Sequence, residues 1–229
     1  MARLPFVFVN VATTADGKLA PSNRQFVPFS SREDQERMMR LRSEADAVLS
    51  GARTVDLGKV DLGPGGKKWQ RKRVEGGRNE FNLRVIVSGS ASVNPEAHIF
   101  RTRFSPIILL ANKSAPKTRL KKLSTLTDDI HLSSGPNINF RKAFEWLREK
   151  WDVKRLLCEG GGEVNAPIFL EGLVDELHLT ICPVIFGGRN APTLADGVGI
   201  EKLSDAVQLR LKHVEEIGSE VYTVYKVLK

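Results

Sequence analysis

The stretch LCEGGGEVN, residues 157–165, places three consecutive glycines between two segments with different apolar patterns. The apolar run from Val153 to Leu157 predicts a strand, and the spacing of apolar residues from Val164 to Leu170 predicts a helix. Glycines at such a junction leave backbone N–H groups uncovered beside the positive end of the helix, which suits phosphate. A tight strand-to-helix turn without a ligand explains the glycines equally well.

The glycine spacing does not fit the dinucleotide fingerprint of a Rossmann fold. That fingerprint needs a small residue where Asn165 stands and an acidic residue about twenty positions further on. The fold must therefore be inferred from the rest of the chain.

Strands and helices alternate along most of the sequence. The run from Pro5 to Thr14 lacks polar alternation and predicts a central strand, whereas 139–151 has one apolar helical face. The C-terminal part differs, because 208–228 contains two alternating runs joined at Gly218. The pattern predicts an α/β fold with a mixed sheet, helices on both faces and a C-terminal antiparallel hairpin, in a single domain over residues 1–229.

Composition excludes several classes of protein. The chain has 229 residues, 41% of them hydrophobic, and no apolar run approaches the roughly 20 residues of a membrane span. Cys158 and Cys182 have no His or Cys at ligand spacing, so we expect neither a metal site nor a disulfide framework. A reducing, cytoplasmic location fits this cysteine usage.

The net charge of +8 is concentrated in one segment. Between Lys59 and Arg84 there are eight Lys or Arg and three Asp or Glu, and the cluster 67–73 is flanked by Gly and Pro. We interpret residues 59–82 as an exposed basic loop insertion. The alternative is a nucleic-acid-binding arm in which Trp69 stacks on bases, but its support is confined to this loop.

Four pieces of the chain, in this order, resemble one family. They are NVATTADGKLA at 10–20, Leu41-Arg42 followed by residues 46–55, EGGGEVN at 159–165, and LVDEL leading to PVIFGG within 173–188. Together they resemble the reductases of riboflavin biosynthesis, which include the C-terminal half of the bacterial deaminase-reductase, over nearly the whole chain.

The resemblance implies a dihydrofolate-reductase-like fold, a homodimer and NADPH as cofactor. It also implies the reduction of the ribosyl group of a pyrimidine ribosylamino 5′-phosphate to ribityl. Because the similarity begins at residue 5, we expect a reductase without a deaminase half.

The same resemblance assigns candidate site residues. Those implied to face the cofactor are Thr54, Gly160, Gly161, Gly162, Glu163 and Val164. Those implied to contact substrate are Asn10, Arg42 and Glu159. Arg42 could instead simply finish a helix, and Glu159 could cap the next one.

The chemistry requires a proton carrier, since hydride can attack C1′ only after the ribose ring has opened to an imine. Glu159 is the first candidate for this catalytic role and Asp16 the second. One departure concerns substrate: the family's Asp-Asp-Pro-type loop is replaced here by Asp56–Pro64. A reductase of the same fold acting on another pterin-like or pyrimidine compound is therefore the alternative function.

Overall fold

The computed structural model describes residues 3–25 and 27–229, and the chain divides into two compact units. The first unit is built from residues 3–5 and Arg42–Leu157, and the second from the described residues of Phe6–Leu41 and Cys158–Lys229. The interpretation of 1–229 as a single reductase domain stays a prediction.

The strands are β1 (Phe6–Thr14), β2 (Ala47–Gly51), β3 (Leu83–Val87), β4 (Ile107–Asn112), β5 (Asp129–Ser133), β6 (Arg155–Cys158), β7 (Glu176–Cys182), β8 (Leu209–Ile217) and β9 (Glu220–Val227). The helices are α1 (Arg32–Ser43), α2 (Ala52–Val55), α3 (Lys67–Glu75), α4 (His98–Arg101), α5 (Lys117–Ser124), α6 (Phe140–Trp151) and α7 (Gly162–Leu170).

Parallel strands form the sheet of the first unit, in the order β5-β4-β3-β2-β6. β2 and β4 are buried along their whole length, as expected for parallel strands covered on both faces. The predicted helix at 139–151 is confirmed as α6, which begins after Asn139 because the Asn139 Oδ1 accepts the Lys142 N–H at 3.0 Å. Its apolar face is buried, as predicted from the spacing of Phe140, Ala143, Phe144 and Leu147.

The second unit has a mixed sheet with the strand order β1-β7-β9-β8. β1 pairs with β7 in parallel, whereas β9 pairs with β7 and β8 in antiparallel fashion. The predicted C-terminal hairpin is therefore confirmed, with its turn at Gly218. Ser31 caps α1, since its Oγ accepts the Asp34 N–H at 3.1 Å.

The prediction of an exposed basic loop at 59–82 is wrong. Residues 67–75 form α3, and the segment contributes buried side chains, among them Leu62, Trp69, Arg73 and Asn82. The Arg73 Nη1 donates to the carbonyl oxygens of Arg42, at 2.9 Å, and of Ala45. These carbonyls lie at the C-terminal end of α1, where a helix leaves carbonyl groups without partners. Most basic residues of this segment are therefore exposed to solvent, whereas Arg73 is buried.

None of the helices within the described residues is long and apolar enough to cross a membrane. The described residues also contain no group of three or more His, Cys, Asp or Glu side chains that could hold a metal ion.

Candidate active site

The glycine turn lies in the second unit, between Cys158 and α7. β6 ends at Cys158, and the chain reaches α7 through Glu159, Gly160 and Gly161. Gly160 has a φ of +74°, and a Cβ there would lie 3.0 Å from the Asn165 Nδ2, so both conformation and space require glycine. The peptide bond between Gly160 and Gly161 is cis. Backbone without side chains thus leads directly into the N-terminus of a nine-residue helix.

Gly162 is a glycine for a different reason. A Cβ at Gly162 would collide with the carbonyl oxygen of Thr193 and lie 2.5 Å from the Asp196 Oδ2. The Asp196 N–H also donates to the Gly162 carbonyl at 3.1 Å, and the Asp196 Oδ1 accepts the Thr193 N–H at 2.9 Å. The space beside Gly162 is filled by the protein's own chain. An anion site at this turn therefore depends on Gly160 and Gly161, and the cofactor contact of Gly162 stays a prediction.

Asn165 is a residue of this turn that we did not predict. It is fully buried, its Oδ1 accepts the Cys158 thiol at 3.4 Å, and its Nδ2 donates to the Leu194 carbonyl at 2.9 Å. It ties the end of β6 and the segment after β7 to α7. The signal in the sequence is an amide residue in the middle of an apolar helix, where a buried polar group needs partners.

The acidic residues around the turn have different surroundings. Glu159 is half-buried directly after β6, and its charge contributes, after burial itself, to raising the pKa of the Cys158 thiol to about 12. Glu163 is exposed in the first turn of α7, with its Oε1 3.9 Å from a terminal nitrogen of Arg24, and Val164 is buried. Cys158 is therefore a neutral thiol at physiological pH, and Glu159 is the carboxylate that immediately precedes the glycines.

Asp16 holds the turn after β1. Its Oδ1 accepts the Thr14 hydroxyl at 2.6 Å and the Phe186 N–H at 3.2 Å, and its Oδ2 accepts the Gly187 N–H at 2.7 Å. These hydrogen bonds, that from Thr14 first, lower the pKa of Asp16. A carboxylate held ionised by three donors is a poor proton donor, so these contacts favour a structural role for Asp16.

Asn10 lies in β1 and is only 8% exposed, yet its Oδ1 has no hydrogen-bond partner among the described residues. Buried side-chain amides are nearly always hydrogen-bonded. A ligand that supplies the missing donor would account for this exception.

Arg42 and Thr54 belong to the first unit. Arg42 is 7% exposed, its Nη1 donates to the Gly63 carbonyl at 2.8 Å, and it lies 3.9 Å from the Asp61 Oδ1. It therefore supports the segment that replaces the family's Asp-Asp-Pro-type loop. Thr54 is half-buried in α2, the short helix that directly follows β2. Substrate contact by Arg42 and cofactor contact by Thr54 stay predictions.

Within the second unit, the segment 183–196 contacts two of the predicted residues, Asp16 and Gly162. It accepts the Leu19 N–H through the Pro192 carbonyl at 2.8 Å, it is held by Asp16 through Phe186 and Gly187, and it packs on Gly162. The turn after β1 and the glycine turn before α7 are therefore linked through one segment.

The family model described as the RibD C-terminal domain matches residues 5–223. The chain belongs to the RibD C-terminal domain family. This confirms the resemblance seen in the four sequence pieces. Two relatives, from Methanothermobacter thermautotrophicus and Archaeoglobus fulgidus, are named 2,5-diamino-6-ribosylamino-4(3H)-pyrimidinone 5′-phosphate reductase. The first is 30% identical, covering 97% of this chain and 98% of the relative, and the second is 29% identical, covering 93% and 94%.

Solved structures agree with a RibD C-terminal domain fold, which is dihydrofolate-reductase-like. A pyrimidine reductase-like protein from Corynebacterium diphtheriae has a TM-score of 0.79 at 23% identity, covering 98% of this chain and 92% of that one. The riboflavin biosynthesis reductase of Saccharomyces cerevisiae has a TM-score of 0.68 at 16% identity, covering 98% and 90%. At these identities the likeness concerns the fold alone.

Proposed function

We propose that this protein is an NADPH-dependent reductase of riboflavin biosynthesis that converts the ribosyl group of a pyrimidine ribosylamino 5′-phosphate to ribityl. The observation that carries the proposal is 30% identity over 97% of the chain to a relative named for that reductase activity. The names of such relatives favour the 2,5-diaminopyrimidinone as substrate over its deaminated counterpart.

NADPH fits the glycine turn. Gly160 and Gly161 present backbone rather than side chains beside the first N–H groups of α7, and this combination suits a pyrophosphate. Bound there, NADPH would supply the hydride. Gly162, Glu163 and Val164 complete the proposed cofactor set of this turn, and cofactor contact by Thr54 stays a prediction.

We assign proton transfer to Glu159. The ribose must open before C1′ can be reduced, and opening moves a proton between the ring oxygen and the exocyclic nitrogen. Glu159 is half-buried and directly precedes the proposed pyrophosphate site, whereas Asp16 is committed to three donors. Asp16 is therefore assigned to holding the segment 183–196 and Asn10 to binding substrate, while substrate contact by Arg42 stays a prediction.

The test is an NADPH oxidation assay with each of the two pyrimidine ribosylamino phosphates, with the ribityl product identified by mass spectrometry. We expect turnover with the diamino compound and faster turnover with NADPH than with NADH. Absence of turnover with both pyrimidines would refute the proposal, while equal rates with NADPH and NADH would refute the cofactor preference alone.

We further infer that the enzyme is a homodimer and that β8 lies in the subunit contact. All nine residues of β8 are exposed, and it pairs with β9 alone at the end of the strand order. Leu211 and Val214 are 51% and 55% exposed, and their pairing with Tyr225 and Thr223 places them on one face of the sheet. An exposed apolar face on a sheet edge is typical of an interaction surface.

The charge order along β8 favours a second copy as the partner. Arg210 and Lys212 precede Glu215 and Glu216, so two antiparallel copies of β8 would bring opposite charges together. Leu211→Glu with Val214→Glu should convert a dimer to a monomer in sedimentation experiments. Val198→Glu, at a fully exposed position outside the hairpin, is the matched control. A monomeric wild type, or a double variant that remains dimeric, would contradict this contact.

We also infer a cytoplasmic location. Cys158 and Cys182 are both free thiols, which suits a reducing compartment.

A further inference from the structure

Two buried side-chain oxygens in the sheet of the second unit lack hydrogen-bond partners among the described residues. One is the Asn10 Oδ1 in β1, and the other is the Thr180 Oγ1 in β7, whose residue is fully buried. Native structures rarely leave such groups unpaired, because a buried polar atom has lost its water without replacement. Two of them on neighbouring strands call for a common explanation.

The strand register places these oxygens on the same face of the sheet. β1 and β7 run in parallel, with Ala12 paired to Thr180 and Asn10 paired to His178. Side chains alternate between faces along a strand, so Asn10 and Ala12 point to one side and Val11 to the other. Asn10 and Thr180 are therefore diagonal neighbours with Ala12 beside them.

The same face is open at Ala12. Val11 is buried on the opposite face, whereas Ala12 retains partial exposure in the middle of the strand. Ala12 is thus the accessible part of this face, whereas the Asn10 Oδ1 and the Thr180 Oγ1 beside it are buried. Tyr222 pairs with Thr180 and its ring lies 5.1 Å from the guanidinium carbon of Arg37, so α1 covers the neighbouring part of this face.

His178 lies on the same face of the sheet, with its Nε2 3.4 Å from the Glu176 Oε2. His178, beside Asn10, has its pKa lowered to about 4, first by burial and then by the positive charge of Arg37. It is therefore neutral at physiological pH. A neutral imidazole near two buried oxygen acceptors suits a polar heterocycle that carries hydrogen-bond donors.

We propose that Thr180, together with Asn10, binds the pyrimidine ring of the substrate beside Ala12. The inference rests on the proposed reductase function and adds Thr180 to the substrate-binding residues. Both oxygens can accept hydrogen bonds, and a pyrimidine bearing ring N–H and amino groups supplies the donors that they lack. The Thr180 hydroxyl can also donate to a ring nitrogen or carbonyl.

The experiment compares Thr180→Val with Thr223→Val. Thr223 is a matched control, because it is buried in the adjoining strand β9 but its hydroxyl already donates to the Leu179 carbonyl at 3.0 Å. Substrate affinity is measured by calorimetry without NADPH, KM and kcat by the NADPH oxidation assay, and stability by thermal unfolding.

We expect Thr180→Val to raise the substrate Kd and KM by about 3- to 10-fold, the effect of one lost hydrogen bond. Its melting temperature should not fall, because the hydroxyl it removes has no partner in the protein. Thr223→Val should show the reverse, with an unchanged Kd and a melting temperature lowered by about 2–4 °C. Thr180→Ser, which keeps the hydroxyl, should retain wild-type affinity.

An unchanged Kd and KM in Thr180→Val would overturn the inference and leave the hydroxyl to an internal water molecule. If Thr180→Val does not fold, Thr180→Ala against Thr180→Ser makes the same comparison of affinity. A wild-type protein that neither binds nor reduces either pyrimidine refutes the proposed function and this inference with it. A wild-type protein that is active beside an equally binding Thr180→Val refutes the inference alone.

Discussion

The glycine turn before α7 and the segment containing α3 pack against the rest of the protein in opposite ways. At the turn, the chain approaches other groups closely by having no side chain, as at Gly162 against Thr193 and Asp196. In the α3 segment, the long side chain of Arg73 brings its charged guanidinium into the interior, where it donates hydrogen bonds to carbonyl groups. The first arrangement depends on backbone conformation, which is local. The second depends on partners about thirty residues away, as the Arg73 to Arg42 contact shows.

The largest effect expected concerns two adjacent glycines. Gly161→Val should abolish NADPH binding while the protein stays folded, because a branched side chain would block the approach of a pyrophosphate to the backbone. Gly162→Ala should instead lower stability, since its Cβ would collide with Thr193 and Asp196. Calorimetric NADPH titration and thermal unfolding of both variants separate the two effects. A folded Gly161→Val with wild-type affinity would remove the cofactor from this turn.

Glu159→Gln tests the carboxylate that begins the same turn. The substitution keeps size and hydrogen bonding but removes the titrating group, so turnover should fall by about 10²-fold or more. NADPH affinity and melting temperature should stay near wild type. If the variant is instead less stable and nearly as active, Glu159 is a structural residue like Asp16, and no catalytic carboxylate belongs to this turn.

Arg73→Met tests the other side of the comparison. It should lower the free energy of unfolding by about 2–3 kcal/mol, because it removes the hydrogen bonds that Arg73 donates to the buried carbonyl oxygens of Arg42 and Ala45. Arg71→Met, on the exposed face of the same helix, should change it by no more than about 0.5 kcal/mol. Urea denaturation measures both. Equal effects would mean that the buried guanidinium contributes no more than a solvated one.

His178 is a second ionisable side chain with little exposure to solvent, but unlike Arg73 it is uncharged in the folded protein. Its folded pKa of about 4 lies below the ordinary value of 6.5, so the unfolded chain takes up a proton first as pH falls. Stability should therefore be fully present above pH 6.5 and decline toward pH 4, by roughly 1–2 kcal/mol between pH 7 and pH 5. Urea denaturation at the two pH values should show this decline in the wild type and a smaller one in His178→Gln.

The elements foreseen from the sequence are those with a strong local pattern. α6 has four apolar residues on one face, and the hairpin has two alternating runs around Gly218, so neither needed knowledge of its neighbours. β5 was missed because the short sequence DIHLS has mixed polarity and only partial burial. α3 was missed because five of its nine residues are Lys or Arg, which suggested a solvated loop.

The features of the candidate site also fall into those with a local sequence signal and those without one. The positive φ of Gly160 could be anticipated, since a glycine triplet at a strand end suggests it. The hydrogen bonds of Asp16, Asn165 and Asp196 could not, because each joins segments that only the folded chain brings together. The unpaired oxygens of Asn10 and Thr180 could not be predicted either, because the surroundings in the folded chain decide whether a buried atom finds a hydrogen-bond partner.

The hydrogen bonds from Arg73 to the end of α1 have a consequence for protein engineering. Residues 59–82 resemble a removable insertion, and shortening them would be an obvious route to a smaller enzyme. Yet Arg73 supplies donors to the carbonyls of Arg42 and Ala45, and Arg42 in turn donates to Gly63 inside the same segment. Deletion would remove the hydrogen bonds of Arg73 and the acceptor of Arg42 at once. A smaller version would therefore have to provide a new helix stop and a new partner for Arg42.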